Sequence, residues 1–181
     1  MDNFGRIEWD NLWMTLAIAT AQRSIDTSTK HGCVFIGENN HFISLGYNSF
    51  PKDCLDNQLP KTRPLKYKVT IHSEINAIIN ARESLKGSTA YITGYPCSLC
   101  FASMLNAGIE KIIYGPVGSN CISDEDIELI REMNVSSFAL SQKIEIVKFE
   151  NISKIDHLYD FLDAIKGYIE DKKKKTDLIN G

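Results

Sequence analysis

The chain lacks any long hydrophobic run and carries little excess charge of either sign. No stretch of its 181 residues approaches the roughly 18 consecutive apolar residues of a membrane span. Its first residues also lack the basic and apolar regions of a secretory signal peptide. The 20 Lys and Arg residues and the 23 Asp and Glu residues give a net charge of −3. Domains that bind a long nucleic-acid backbone are usually basic. These absences predict a cytoplasmic protein with no membrane partner, and they argue against a nucleic-acid partner.

Cysteine is scarce as well, and its number is odd. Two of the five cysteines, Cys97 and Cys100, form a Cys-x-x-Cys motif. We expect the other three to be reduced thiols, because so low a count is typical of a cytosolic protein and not of a disulfide scaffold. These three are Cys33, Cys54 and Cys121.

The length and the ordinary hydrophobic fraction of 43% predict one folded domain. We place this domain at residues 1–169 and a polar tail at residues 170–181. The tail holds four consecutive lysines, Lys172 to Lys175, which we interpret as a solvated run. A contact of these lysines with nucleic acid is the alternative.

The spacing of apolar residues predicts an alternation of helices and strands. Helices are predicted at residues 8–24, 72–84, 97–107, 123–133 and 153–169, and strands at residues 33–36, 41–47, 89–93, 111–114 and 143–149. The first two strands flank a short turn and form a hairpin, whereas the later strands are joined through helices and should lie parallel. This order predicts an α/β protein with a three-layer α-β-α fold, in which a mixed five-stranded sheet begins with a β-hairpin.

Two short motifs carry the chemistry of the chain. The first is His72-Ser73-Glu74, and the second is Pro96-Cys97-Ser98-Leu99-Cys100. One His and two Cys are zinc ligands that leave the fourth tetrahedral position open for water, which is the arrangement of a hydrolytic site. Glu74 follows two residues after His72 and is placed to move protons at the same water. The pair of motifs resembles the signature of zinc-dependent nucleobase deaminases.

The predicted helices place both motifs at helix N-termini. His72 and Glu74 begin one helix, and Cys97 and Cys100 begin the next, directly after Pro96. The positive ends of the two helix dipoles favour thiolate over thiol, and thiolate is the form that binds metal.

Two other interpretations of the motifs stay open at this point. A structural zinc site is normally closed by four protein ligands, so it would need another Cys or His and would not need Glu74. A redox pair of Cys97 and Cys100 would not need the upstream His-x-Glu.

Four segments resemble the cytidine and deoxycytidylate deaminase superfamily. Residues 72–78 are similar to its zinc-and-glutamate helix, and residues 96–100 to its cysteine helix. Residues 23–32 and 46–51 resemble the segments beside the first two strands of the deoxycytidylate (dCMP) branch. The resemblance covers about residues 10–150. It implies zinc-dependent hydrolysis of dCMP to dUMP and ammonia, a reaction that feeds dTMP synthesis.

The resemblance also implies further properties. Asn48 would contact the substrate sugar, the protein would be a homo-oligomer, commonly a hexamer, and dCTP or dTTP with Mg²⁺ would regulate it near the long loop after Asn48. The family usually has Ala where Ser73 stands, Gly where Ser49 stands and Val where His31 stands. A packed or surface His31 and a contact of His31 with the substrate phosphate or base are both open.

A nucleotide substrate also requires cations for its phosphate. The loop over residues 51–70 has more Lys and Arg than Asp, although the whole chain is negative. We predict that at least one of four cations contacts the phosphate: Arg23, Lys30, Arg63 and Lys66. We expect Ser73, Pro96 and Tyr95 to lie against the substrate, with Tyr95 or Tyr67 stacked on the base.

Three other functions are compatible with the motifs. One is deamination of cytidine, dCTP or a 5-substituted dCMP, and a second is deamination of tRNA or a single strand of nucleic acid. The third is a non-enzymatic zinc module, against which the presence of Glu74 argues.

Overall fold

A five-stranded sheet forms the centre of the part of the chain that the structure describes, which is residues 7–115, 122–138 and 143–150 of a computed structural model. Its strands are β1 (Gly32–Ile36), β2 (Phe42–Tyr47), β3 (Thr89–Ile92), β4 (Lys111–Tyr114) and β5 (Glu145–Lys148). They lie in the order β2-β1-β3-β4-β5. β1 is antiparallel to β2 and to β3, whereas β3, β4 and β5 are parallel to one another. The predicted mixed sheet with its leading hairpin is confirmed.

Helices cover both faces of this sheet. They are α1 (Trp9–Ala21), α2 (Ser73–Asn80), α3 (Ser98–Asn106) and α4 (Asp124–Phe138). The two faces are separated by the alternation of side chains along β1, because Val34 and Ile36 pack with α1 while Cys33 and Phe35 pack with the other three helices. The three-layer arrangement predicted from the sequence is therefore confirmed.

A close contact fixes α2 on the sheet. A Cβ atom added at Gly46 of β2 would lie 2.3 Å from the Ala77 nitrogen and 2.3 Å from the Ser73 oxygen. Only glycine permits this approach of strand to helix. The first turn of α2, which begins directly after His72, is thereby held close to the sheet.

Three predicted helix ends were wrong. α1 ends three residues before the expected end at residue 24, and α2 ends at Asn80, because the backbone of Ala81 is extended and the chain turns to bury Leu85. α4 continues past residue 133, because the Asn134 side chain pairs with both backbone groups of Ile144 at 2.8 and 2.9 Å.

Several expectations concern residues that the structure does not describe. The helix expected at residues 153–169, the tail at residues 170–181 and Cys121 all lie outside the described ranges. Within those ranges Cys33 and Cys54 are free thiols. No helix in the described part of the chain combines the length and the apolar character needed to cross a membrane.

Candidate active site

The two motifs meet at the N-termini of α2 and α3. His72 and Cys97 are the N-cap residues of these helices, and neither side chain caps its own helix. The side chains turn toward each other instead, so that His72 Nδ1 lies 3.5 Å from Cys97 Sγ and 3.4 Å from Cys100 Sγ. All three ligand atoms lie within 4.8 Å of one another.

This group has the dimensions of a zinc site. Zn–S distances of about 2.3 Å and Zn–N distances of about 2.0 Å at tetrahedral angles place N and S atoms about 3.5 Å apart. The observed distances of 3.4 and 3.5 Å agree with that value. No fourth His, Cys, Asp or Glu from the described residues joins the group. The donor set therefore fits a zinc ion that keeps one position open.

The three side chains shift one another's pKa values through their hydrogen bonds. The hydrogen bond from Cys100, followed by that from His72, lowers the pKa of Cys97 to about 4 against the opposing effect of burial. The hydrogen bond with Cys97, together with burial, raises the pKa of Cys100. The hydrogen bond to Cys97 also raises the pKa of His72, although burial opposes it. A thiolate next to an imidazole is a favourable starting point for binding a divalent metal.

Glu74 lies beside this group without belonging to it. Its side chain is buried in the first turn of α2, and its Oε2 accepts a hydrogen bond from the Ser73 hydroxyl at 2.9 Å. Among the described residues no hydrogen bond to the other oxygen, Oε1, is present. Ser73, which stands where alanine was expected, therefore orients the carboxylate.

A cavity of about 190 Å³, which we call the site cavity, opens at these residues. It is lined by His72, Cys97 and Glu74 together with five of the predicted substrate residues: Asn48, Ser73, Tyr95, Arg63 and Lys66. The ring of Tyr95 packs edge-on against Tyr114 at 4.9 Å, which sets its orientation. The fold thus brings side chains from four separate segments of the sequence to one place.

Three predicted substrate residues lie elsewhere. Arg23 lines a second cavity of about 400 Å³, the loop cavity, whose walls include Lys52 and Asp53, and its guanidinium lies 6.0 Å from the centre of the Tyr47 ring. Lys30 is half-buried but does not line the site cavity, and Pro96 is buried directly before Cys97.

Asn48 is held rigidly at the wall of the site cavity. Its Oδ1 accepts the backbone N–H of His31 at 2.7 Å, and its Nδ2 donates to the backbone oxygen of Thr29 at 3.0 Å. The Ser24 hydroxyl donates to the backbone oxygen of Asn48 at 2.7 Å. One amide hydrogen of Asn48 is left to donate into the cavity.

Lys66 is buried in an ion pair that the sequence did not reveal. Its Nζ lies 2.8 and 3.0 Å from the two carboxylate oxygens of Asp26 and 3.3 Å from the Ser28 hydroxyl. Burial raises the pKa of Asp26, but the Lys66 ammonium and the backbone N–H groups of Ser28 and Thr29 outweigh it, so that the pKa is lowered overall. The available signal for Asp26 was its position in residues 23–32, one of the segments that resemble the family.

Asp126 is a second residue that was missed. Its carboxylate accepts the backbone N–H of Ser98 at 2.9 Å, so the first turn of α4 caps α3 where the two cysteines stand. The Ser123 hydroxyl caps α4, because it accepts the Asp126 N–H at 3.1 Å; it also donates to the other carboxylate oxygen of Asp126 at 3.0 Å. The cap of α4 was readable from the sequence, whereas the reach of Asp126 to another helix was not.

Comparison with known proteins identifies the family. The sequence profile of the family described as "Cytidine and deoxycytidylate deaminase zinc-binding region" matches residues 7–116. The chain belongs to this family. Zinc, expected from the sequence, is thus confirmed as the metal of the domain, and the His72, Cys97 and Cys100 group is consistent with it.

Individual members of the family show how far the likeness extends. The "Deoxycytidylate deaminase" of Pongo abelii is 34% identical over 115 residues, which are 60% of this chain and 65% of the relative. The one from Mycobacterium phage D29 is 30% identical over 60% of this chain and 95% of the relative. This chain thus spans less than two thirds of the primate protein.

A solved structure supports the fold. The dCMP deaminase from the cyanophage S-TIM5 in complex with dCMP and dUMP has a TM-score of 0.58 and covers 80% of this chain and 98% of that chain. At 21% identity this likeness shows that the two chains share a fold.

Proposed function

We propose that this chain catalyses the hydrolytic deamination of dCMP to dUMP and ammonia and thereby feeds dTMP synthesis. The observation that carries the proposal is the position of the Glu74 carboxylate beside the His72, Cys97 and Cys100 group, in one cavity with Asn48. The relatives named deoxycytidylate deaminase support it. So does the complex of the cyanophage enzyme with dCMP and dUMP.

The chemistry is divided between the metal ligands and Glu74. His72, Cys97 and Cys100 would hold a zinc ion, which would lower the pKa of a bound water to near 7 and so supply a nucleophile at neutral pH. Glu74 accepts the proton of this water and delivers it to the ring nitrogen next to the amine-bearing carbon. After attack at that carbon, Glu74 takes the remaining proton of the added hydroxyl and passes it to the amine. The C–N bond then breaks, the carbonyl forms and ammonia leaves. The Ser73 hydroxyl holds the carboxylate in place for both transfers.

The rest of the site cavity holds the nucleotide. The free amide hydrogen of Asn48 donates to the sugar, and Tyr95 and Ser73 lie against the base. Of the two cations in the cavity, Arg63 is the one available to the phosphate. Lys66 is already paired with Asp26, whereas Arg63 makes no ion pair with any described residue and lies 5.3 Å from the centre of the Tyr67 ring.

We further propose regulation by dCTP or dTTP with Mg²⁺, in a cytoplasmic homo-oligomer that is commonly a hexamer in this family. The loop cavity supports an effector site, because it lies at the long loop after Asn48 and is lined by both cations and carboxylates. The division into a domain at residues 1–169 and a tail at residues 170–181 stays a prediction.

The first experiment is a substrate comparison with the zinc-loaded full chain. Ammonia release is measured with dCMP, dCTP, deoxycytidine and CMP, with and without dCTP and Mg²⁺ as effectors. We expect kcat/KM for dCMP to exceed that for deoxycytidine at least about tenfold, since a charge-assisted hydrogen bond to phosphate contributes about 1.5–3 kcal/mol. Absence of turnover with all four compounds would overturn the proposal and favour another base or a nucleic-acid strand.

The role of Glu74 is tested with Glu74→Gln. Turnover should fall at least about 100-fold, because general acid–base catalysis contributes that much, while the zinc content stays that of the wild type. The matched control is Glu83→Gln, since Glu83 is exposed and its sole ion pair with a described residue is the one with His41. If Glu74→Gln loses its zinc, the carboxylate is a ligand and the mechanism is wrong.

A further inference from the structure

His31 lies in the site cavity and its backbone is held by Asn48. Its N–H donates to Asn48 Oδ1 at 2.7 Å, and its backbone oxygen accepts the Asn48 N–H at 3.2 Å. The ring lines the cavity together with Glu74 and His72. Burial lowers the pKa of His31, and the negative Glu74 carboxylate opposes this effect. The net lowering of the pKa favours the neutral ring.

Thr93 determines which ring nitrogen of His31 carries the hydrogen. Thr93 Oγ1 accepts the backbone N–H of Gly32 at 3.0 Å and lies 3.3 Å from His31 Nδ1. Thr93 is 1% exposed, so its own hydrogen cannot be given to solvent. Nδ1 is the sole acceptor within reach of that hydroxyl among the described residues. A buried donor without a partner is costly, so Thr93 donates and Nδ1 accepts.

A neutral imidazole whose Nδ1 accepts must carry its hydrogen on Nε2. In the described part of the chain no hydrogen bond to Nε2 is present. The ring therefore presents a donor of fixed position in the site cavity, next to the carboxylate that acts on the base. Neither the metal ligands nor the proton transfers of Glu74 use it.

We propose that His31 is a specificity-determining residue whose Nε2–H donates a hydrogen bond to an oxygen of the substrate pyrimidine, with Thr93 fixing the tautomer. The inference rests on the proposed deamination of a pyrimidine nucleotide. Cytosine has two acceptors on its ring, N3 and O2, and N3 receives its proton from Glu74. The oxygen that His31 contacts is therefore O2, or an oxygen carried by a substituent at C5.

The tautomer is measured first, because this readout needs no turnover. Nitrogen-15 NMR of the zinc-loaded full chain reports which imidazole nitrogens carry hydrogen. We expect His31 to show a protonated Nε2 and an unprotonated Nδ1. Thr93→Val, which removes the hydroxyl at nearly constant volume, should abolish the preference, and Thr93→Ser should keep it. A wild-type ring protonated at Nδ1 would overturn the proposal, whatever the enzyme turns over.

Kinetics then test the contact with substrate. His31→Leu should lower kcat/KM about tenfold for each substrate that carries the contacted oxygen, the loss expected for one hydrogen bond. His31→Gln should recover most of the activity, because its amide nitrogen reaches the position of Nε2. Equal losses with dCMP and 5-hydroxymethyl-dCMP assign the contact to O2, and a loss with 5-hydroxymethyl-dCMP alone assigns it to the substituent. Unchanged values with both substrates would overturn the proposal.

The two proposals fail in different ways. If the wild type does not deaminate dCMP or 5-hydroxymethyl-dCMP, the proposed function is wrong. If the wild type is active and His31→Leu, shown to be folded by circular dichroism, has an unchanged kcat/KM with both substrates, only the role of His31 is wrong.

Discussion

The two cationic side chains at the site cavity, Lys66 and Arg63, differ in whether a carboxylate already pairs with them. Lys66 is buried against the carboxylate of Asp26, whereas Arg63 is exposed at the site cavity and stacks near Tyr67. A buried ion pair contributes little free attraction to a third group, because its charges satisfy each other. The planar guanidinium of Arg63 retains its donors for bidentate binding of a phosphate.

We therefore expect Arg63→Ala to raise KM for dCMP about 10-fold or more while leaving the KM for deoxycytidine unchanged. Arg63→Lys should recover only part of the loss, because an ammonium lacks the planar fork. The matched control is Arg23→Ala, since Arg23 lies in the loop cavity. Steady-state kinetics with both substrates decide the point. A raised KM in Arg23→Ala alone would place the phosphate outside the site cavity.

At the scale of elements, a carboxylate of α4 caps the first turn of α3. Asp126 accepts the Ser98 N–H at 2.9 Å, one residue after Cys97 and two before Cys100. Hydrogen bonds from the Ser98 side chain and backbone lower the pKa of Asp126 against a small opposing effect of burial. Because its folded pKa is lowered, this cap stabilises the fold above pH 3.8 and is lost as the pH falls through the folded value.

Removing this cap should loosen the cysteine half of the metal site. Asp126→Ala is expected to weaken zinc binding about 10-fold or more, as changes in groups that orient metal ligands commonly do. Asp126→Asn keeps a hydrogen-bond acceptor, so its zinc affinity should be close to that of the wild type. Asp124→Ala is the matched control, because Asp124 is exposed in the same turn of α4. Competition with a chelator measures the affinity, and equal affinities in all three variants would show that α3 holds its cysteines without help.

At the scale of the whole molecule, the His72, Cys97 and Cys100 group links the N-termini of two helices. His72 precedes α2 and Cys97 and Cys100 stand at the start of α3, and both helices pack on the same face of the sheet. A ligand that binds only the folded state stabilises it by about 2.7 kcal/mol at 100 times its Kd. Loss of the metal should therefore lower the free energy of unfolding of the entire fold.

Thermal unfolding before and after removal of zinc tests this expectation. Chelation should lower Tm by about 5 °C or more, since 1 kcal/mol corresponds to about 2–4 °C in a chain of this size. Added Zn²⁺ should restore the original Tm and added Mg²⁺ should not. Cys97→Ser should respond to neither the chelator nor zinc. An unchanged Tm in the chelated wild type would mean that the metal is absent or does not bridge the helices.

The sequence by itself predicted the zinc ligands and Glu74, the family, and a mixed five-stranded sheet with a leading hairpin. The family and the sheet are confirmed. These features depend on residues close together in the chain: His72 and Glu74 on one helical turn, Cys97 and Cys100 on another, and apolar spacing within each element. Local backbone geometry converts such spacing directly into position.

Only the tertiary structure decided which charges are paired among the described residues and which group lies against Nδ1 of His31. Lys66 meets Asp26 across 40 residues, His31 meets Thr93 across 62, and Ser98 meets Asp126 across 28. It also placed Arg23 in the loop cavity and ended α2 at Asn80. Contacts between residues so far apart in the chain leave no periodic pattern in the sequence, because they exist only after the sheet and helices have packed.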